Sequence, residues 1–257
     1  MDITEIINLD KYQISNPSFK DESRRVFEKE GILILPNFIS KKAIEAIRLE
    51  GINNQEKAYF CVERHNPYLM PTDPDLPDDH PRNKQVTSSK GCIADDQIPK
   101  NSPLKTLYGA QMLKDFLSFV LKEEALYPYA DEVSPINLHY AKTGQELGWH
   151  YDNSSFAITL MIEPATKGGE FEYVRNVRDA DNKHMNFAGT DDVISGKTTP
   201  NRLSLPAGAL VMFRGRNAIH RVTPNLGDVT RMLVVLAYNS EPGIAISKTA
   251  RRLFYGR

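Results

Sequence analysis

Apolar residues change their spacing near residue 134, and the change separates a helix-patterned part of the chain from a strand-patterned part. In the first part, Leu113, Phe116, Leu117, Val120 and Leu121 recur at three- and four-residue intervals, which predicts a helix with one buried stripe. Ser23 to Glu30 predicts a short helix with Val26 and Phe27 as its apolar points and Gly31 as its stop. Ile32 to Leu35 is an apolar strand halted by Pro36, and Ser40 is an N-cap for a helix carrying Ala43, Ile44 and Ile47 that ends at Gly51. Pro67 to Pro103 is rich in Pro, Asp and Ser and reads mainly as loop, long enough to expect a function for it.

After Ser134 the runs become strand-sized: Ile136 to Ala141, Phe156 to Ile162, Glu170 to Val174, Ala209 to Phe213, Ala218 to Val222 and Met232 to Tyr238. Gly144, Pro164, Gly168-Gly169, Pro206, Gly208, Pro224-Asn225 and Gly227 punctuate them. Many short strands with frequent turn signals predict an α+β, mainly β chain built on a sandwich or barrel. The polar stretch Arg175 to Asn201 breaks the rhythm and is expected to be an insertion over the mouth of a site. The expected organisation is one domain over 1–257. Residues 1–133 form a helical and loop part, 134–240 the strand core with the insertion 175–201, and 241–257 a C-terminal tail.

Composition narrows the function classes. Hydrophobic residues make up 40% and charged residues 25%, as in an ordinary globular protein, and the net charge of −1 gives no bulk attraction to nucleic acid or an anionic membrane. Apolar runs such as Leu233 to Ala237 are too short to span a bilayer. Met1-Asp2-Ile3-Thr4-Glu5 lacks the basic start of a signal peptide, so the expected location is the cytoplasm, with Cys61 and Cys92 reduced.

Candidate chemistry centres on His150-Tyr151-Asp152. In extended chain, residues two apart share a face, so His150 and Asp152 can reach one ion while Tyr151 points elsewhere. His220 lies in a second strand pattern that a barrel can bring alongside. Two imidazoles and one carboxylate on one face leave coordination positions open, which suits non-haem iron(II). Arg231 opens an apolar strand, and an Arg turned into a barrel requires an anionic partner. A dicarboxylate supplies one through two parallel hydrogen bonds.

His-x-Asp followed by His, Gly and Arg resembles the iron(II)/2-oxoglutarate oxygenase superfamily. That resemblance covers about Ile136 to Asn239 and implies a double-stranded β-helix, or jelly roll, with the N-terminal helices packed outside. It implies Fe(II) as cofactor and 2-oxoglutarate and O2 as co-substrates. His150, Asp152 and His220 would be the ligands, Arg231 would hold the distal carboxylate of 2-oxoglutarate, and Tyr140 would lie near it. Trp149 to Phe156, Gly168 to Val174, His80-Pro81-Arg82, Tyr127-Pro128 and Phe254 to Arg257 resemble more narrowly the freestanding amino-acid radical halogenases and their hydroxylase relatives. Those halogenases carry a small residue in place of the ligand carboxylate. Asp152 departs from that pattern, which favours hydroxylation of a small substrate, a free amino acid such as L-lysine, with release of succinate and CO2.

For such a zwitterion, Arg82, His139, Asn153, Asn239, Asp131 and Glu132 are the candidate contacts. Trp149 reads as packing, while His65 and His184 have no supporting context. Two other readings of the same residues are a metal-dependent hydrolase on a cupin-like barrel and a non-catalytic jelly roll that binds a small acid.

Overall fold

The structure, a computed structural model, describes residues 1–257. Thirteen strands are β1 (Ile32–Leu35), β2 (Tyr59–His65), β3 (Val86–Ile93), β4 (Tyr127–Pro128), β5 (Ile136–Ala141), β6 (Leu147–His150), β7 (Ala157–Glu163), β8 (Phe171–Val174), β9 (Asn201–Leu203), β10 (Leu210–Phe213), β11 (Ile219–Val222), β12 (Arg231–Leu236) and β13 (Tyr238–Asn239). Seven helices are α1 (Ile3–Ile6), α2 (Pro17–Glu30), α3 (Lys41–Asn54), α4 (Pro103–Gly109), α5 (Gln111–Leu121), α6 (Phe187–Ile194) and α7 (Lys248–Tyr255).

A large antiparallel sheet has the order β1-β10-β7-β12-β5-β3-β2, and a small one the order β6-β11-β8-β9. From β5 to β12 the chain passes repeatedly between the two, which is the double-stranded β-helix. A pair of short strands, β4 and β13, stands apart.

Period-two alternation sorts the large sheet's side chains. Ile136, Leu138 and Tyr140 of β5, Ile158, Leu160 and Ile162 of β7, and Met232, Val234 and Leu236 of β12 face outward and join the main hydrophobic core. Phe27 of α2, Ala43 and Ile47 of α3 and the whole predicted stripe of α5 cover them. The inner face is only partly apolar: Met161, Val211 and Phe213 meet Tyr173, Ala218 and Leu205 in a smaller cluster. Inner positions elsewhere are polar, and this is where the candidate site lies.

The helices differ from expectation at their ends. Helix α2 begins at Pro17, capped by the Asn16 side chain, which accepts from the Ser18 and Phe19 amides, and it stops at left-handed Gly31 as expected. Helix α3 is capped by Ser40 but runs through Gly51 to Asn54. Gly51 serves contact rather than termination, since a Cβ there would stand 2.8 Å from Met232 Sδ.

The segment expected to be loop contains β3, and β2 precedes it, so residues of the N-terminal part extend the large sheet. The C-terminal tail carries α7, which packs on β2 and β3 and inserts Tyr255 beside Cys92, Ala94 and Val133. Cys61 and Cys92 are unbonded to each other. No helix is long and apolar enough to cross a membrane.

Candidate active site

Strands β6 and β11 pair antiparallel with His150 directly opposite His220. Registered partners point to one face, so both imidazoles enter the space between the sheets. Asp152 follows β6 by two residues and joins them. One ligand atom from each of the three lies within 4.8 Å of the others. Asp152 Oδ1 is 3.5 Å from His220 Nε2 and 4.0 Å from His150 Nε2.

Local hydrogen bonds fix which nitrogen each ring offers. His150 Nδ1 donates to Gly148 O at 2.7 Å, and His220 Nδ1 to Ala218 O at 3.0 Å. Both Nε2 atoms are left to face Asp152, as metal-ligating imidazoles do. Burial, and then the His220 charge, hold His150 down to about 3, so it presents a neutral ring. Burial also pulls His220 down, but the charge and hydrogen bond of Asp152 outweigh it and raise it above the ordinary imidazole value.

Two buried atoms show what this space accepts. Asp152 Oδ2 and Arg231 Nε have no hydrogen-bond partner. Arg231 is 6% exposed, lies at the inner face of β12 and makes no ion pair within 4.0 Å of a carboxylate. Burial draws its guanidinium down to about 10, still charged at neutral pH. A carboxylate donor set with an open oxygen fits a divalent ion, and an orphaned inward guanidinium fits a carboxylate. The residues therefore suit Fe(II) at His150, Asp152 and His220, with 2-oxoglutarate reaching from it to Arg231.

The other candidates separate. His139 alternates inward on β5, where burial and then the Lys90 and Arg231 charges hold it well below the imidazole range. Arg82 Nη1 and Asn239 Nδ2 are buried without partners and keep a place as polar contacts.

Tyr140 must be corrected. With His139 inward it faces outward, and its hydroxyl donates to Gly51 O at 2.7 Å beneath α3, on the opposite side of the large sheet from His139. Asp131 is structural: it accepts from the amides of Val133, Ser134 and Ile246 at 3.0, 2.9 and 2.9 Å. Glu132 is exposed against Arg251, and Asn153 is exposed. The insertion does not cover the mouth either. Met185, Phe187 and Val193 pack with Tyr68, Trp149, Tyr151 and Ile219 on the outer face of the small sheet, behind the ligands. A cavity of about 390 Å³ lies on that side, lined by Asn176, Arg178, Asp179, His184, Asn186 and Asn217. It contains none of the three ligand residues, so the chemistry is placed by the triad and not by this cavity.

Sequence reasoning missed His65, Ser88 and Gly215. The His65 ring meets that of His150 edge-on at 6.2 Å between centroids. His65 Nδ1 donates to Asn66 O, its Nε2 accepts from Ser88 Oγ at 2.7 Å, and Ser88 Oγ accepts the Gly148 amide at 3.0 Å. This chain supports strand β6, which carries His150. Gly215 lies against the carboxylate: a Cβ there would stand 1.8 Å from Asp152 Oδ2. Alternation of Cys61, Glu63 and His65 was a usable signal for β2; nothing local marks Gly215.

The architecture is shared with solved structures of low sequence identity. A 2OG-Fe(II) oxygenase family oxidoreductase from Burkholderia pseudomallei aligns over 89% of this chain and 94% of its own, with TM-score 0.54 and 14% identity. A prolyl hydroxylase from Trichoplax adhaerens, solved with a hypoxia inducible factor peptide, aligns over 87% and 90%, with TM-score 0.56 and 11% identity. The epimerase SnoN, solved with Fe3+, alpha ketoglutarate and nogalamycin RO, aligns over 87% and 84%, with TM-score 0.56 and 10% identity. At such identities the likeness shows the fold, and one fold hosts several outcomes. No curated protein matches the sequence. The family described as halogenase D matches residues 15–252, nearly the whole chain, and with its His-Asp-His site inside a double-stranded β-helix this protein belongs to that family of 2-oxoglutarate-dependent Fe(II) enzymes.

Proposed function

We propose that this enzyme hydroxylates an unactivated C–H bond of a small free amino acid, with L-lysine the first candidate, and does not halogenate it. The observation that carries the outcome is Asp152. Its carboxylate occupies the third protein position of the triad, with Oδ1 3.5 Å from His220 Nε2. A halide at that position would have to displace this carboxylate.

His150, Asp152 and His220 hold Fe(II), and Arg231 grips the distal carboxylate of 2-oxoglutarate. Bound to these residues, iron and 2-oxoglutarate would supply, with dioxygen, the oxidising chemistry whose by-products are succinate and CO2. The chain's own work is placement. His150 and His220 stay fixed through their Nδ1 bonds. Arg231 sets the direction of the co-substrate, and the buried polar atoms of Arg82, His139 and Asn239 bind and orient the substrate. The free amino acid rests on the resemblance at Trp149 to Phe156 and Phe254 to Arg257, together with these buried polar groups.

Two measurements test the reading. A succinate-release screen over free amino acids should find turnover, with lysine tried first; turnover only on peptides or other metabolites refutes the substrate class. Mass spectrometry of reactions in high chloride should show a product heavier by one oxygen and no chlorinated product. A chlorinated product shows that Asp152 leaves the metal during turnover.

A further inference from the structure

Arg178 is a buried cation that no carboxylate neutralises. It is 7% exposed and has no ion pair within 4.0 Å. Burying an unpaired guanidinium is costly, so its contacts show what the position gains. Nε donates to Arg216 O at 2.7 Å and an Nη donates to Asp152 O at 3.3 Å. The guanidinium also lies 4.1 Å from the Tyr151 ring centroid.

Its backbone is held on both sides. The Val177 amide donates to Asn217 O, Asn186 Nδ2 donates to Val177 O, and the Ala180 amide donates to Asn217 Oδ1. The two carbonyls it joins belong to the two segments that enclose the Asp152 carboxylate. One is the turn from Tyr151 to Asp152. The other is the loop at Gly215, whose carbonyl accepts the Asp152 amide at 3.1 Å. A guanidinium has donors enough to tie both carbonyls at once and a flat face to lie on Tyr151; an ammonium lacks that geometry.

We propose that Arg178 is a positioning residue of the metal centre, reaching from the insertion behind the small sheet to fix the main chain on either side of the Asp152 carboxylate. The inference rests on His150, Asp152 and His220 being the metal ligands. Thr190 of α6 supports the same region by a different route. Its hydroxyl meets Tyr151 Oη at 2.8 Å and Tyr68 Oη at 2.9 Å without touching Asp152. It separates specific positioning from general loosening of the insertion.

The test is anaerobic titration of the full-length protein with iron(II). It reads the dissociation constant and, with 2-oxoglutarate present, the position of the weak visible band of the chelate. Arg178→Met should weaken iron binding roughly ten- to a hundredfold and shift the band, as loss of a supporting partner does elsewhere. Arg178→Lys should fall between it and the wild type, and if Arg178→Met does not fold the Lys variant decides alone. Thr190→Val should change iron affinity much less. Wild-type affinity and band in Arg178→Met, or in Arg178→Lys when it stands alone, overturns the inference. So does an equal loss in Thr190→Val. His220→Ala distinguishes the underlying reading. If it too binds iron as the wild type does, the metal centre is misassigned and the inference falls with it; if it loses iron while the Arg178 variants do not, only the inference falls.

Discussion

Asp152 has room to ligate because residue 215 carries no side chain. A Cβ at that position would stand 1.8 Å from Oδ2 and 2.9 Å from His220 Cε1, so the carboxylate would have to turn away from the position in which it faces the two imidazoles. Gly215→Ala should therefore weaken iron(II) binding by at least about tenfold with little loss of folded protein. Iron titration alongside circular dichroism checks it, and wild-type affinity would mean that the carboxylate lies elsewhere. Proton competition acts at the same scale. Asp152 raises His220, so its imidazole keeps a proton to higher pH than a free one, and iron must displace that proton. Apparent iron affinity should fall as pH drops from about 8 to about 6; a pH-independent dissociation constant contradicts this. The triad was legible because His-x-Asp obeys strand periodicity and His220 lies in an apolar strand. Gly215 was not, since its reason is a close approach between segments far apart in sequence.

At the scale of elements, legibility followed the polarity of the face each strand buries. Strands β5, β7 and β10 have an outward face in the main core, so their apolar runs gave their place to within a residue or so. Strands β2 and β3 present Glu63, His65, Ser88 and Lys90 to a polar interior, and Val62 on the other face of β2 is 72% exposed. Neither run resembles a core strand, and the Pro-, Asp- and Ser-rich composition around β3 predicts loop instead. Tyr140 departs from expectation for a related reason: the family resemblance places a polar residue there beside the co-substrate, while alternation with His139 sends its hydroxyl outward to Gly51. Asp131 shows a charged candidate acting as an element's anchor. Its carboxylate holds the Ile246 amide just before α7, and these amide bonds outweigh burial and lower its pKa. Asp131→Ala should cost on the order of 1.5–3 kcal/mol, the worth of hydrogen bonds to a charged group, and should expose the C-terminal segment to limited proteolysis. Because the folded pKa is depressed, the contribution is complete above the unfolded value near 4 and fades as pH falls through the folded one. Acid should sensitise the wild-type C-terminus to pepsin and leave Asp131→Ala, already sensitive, less changed. Equal resistance of the two proteins at neutral pH would remove Asp131 as the anchor.

At the scale of the whole molecule, the two sheets contribute different halves of the site. His150 and His220 come from the small sheet, and Arg231 from the large one. A metal ion alone engages the small sheet and the turn at Asp152. On the proposed reading 2-oxoglutarate, held by the ion at one end and Arg231 at the other, would tie the sheets together, so its stabilisation should depend on the metal. At a free concentration a hundred times its dissociation constant, a ligand that binds only the folded state adds about 2.7 kcal/mol. For a chain of this size that is a rise in Tm of roughly 5–10 °C. Anaerobic thermal unfolding with manganese(II) as a redox-inert substitute reads this directly. The metal should raise Tm, 2-oxoglutarate with metal should raise it further, and 2-oxoglutarate without metal should do little. Arg231→Ala should keep the metal increment and lose most of the 2-oxoglutarate increment. His220→Ala should lose both, because the co-substrate then has no ion to chelate. A full 2-oxoglutarate increment in Arg231→Ala would show that the orphaned guanidinium serves another anion and that the co-substrate does not span the sheets at that point.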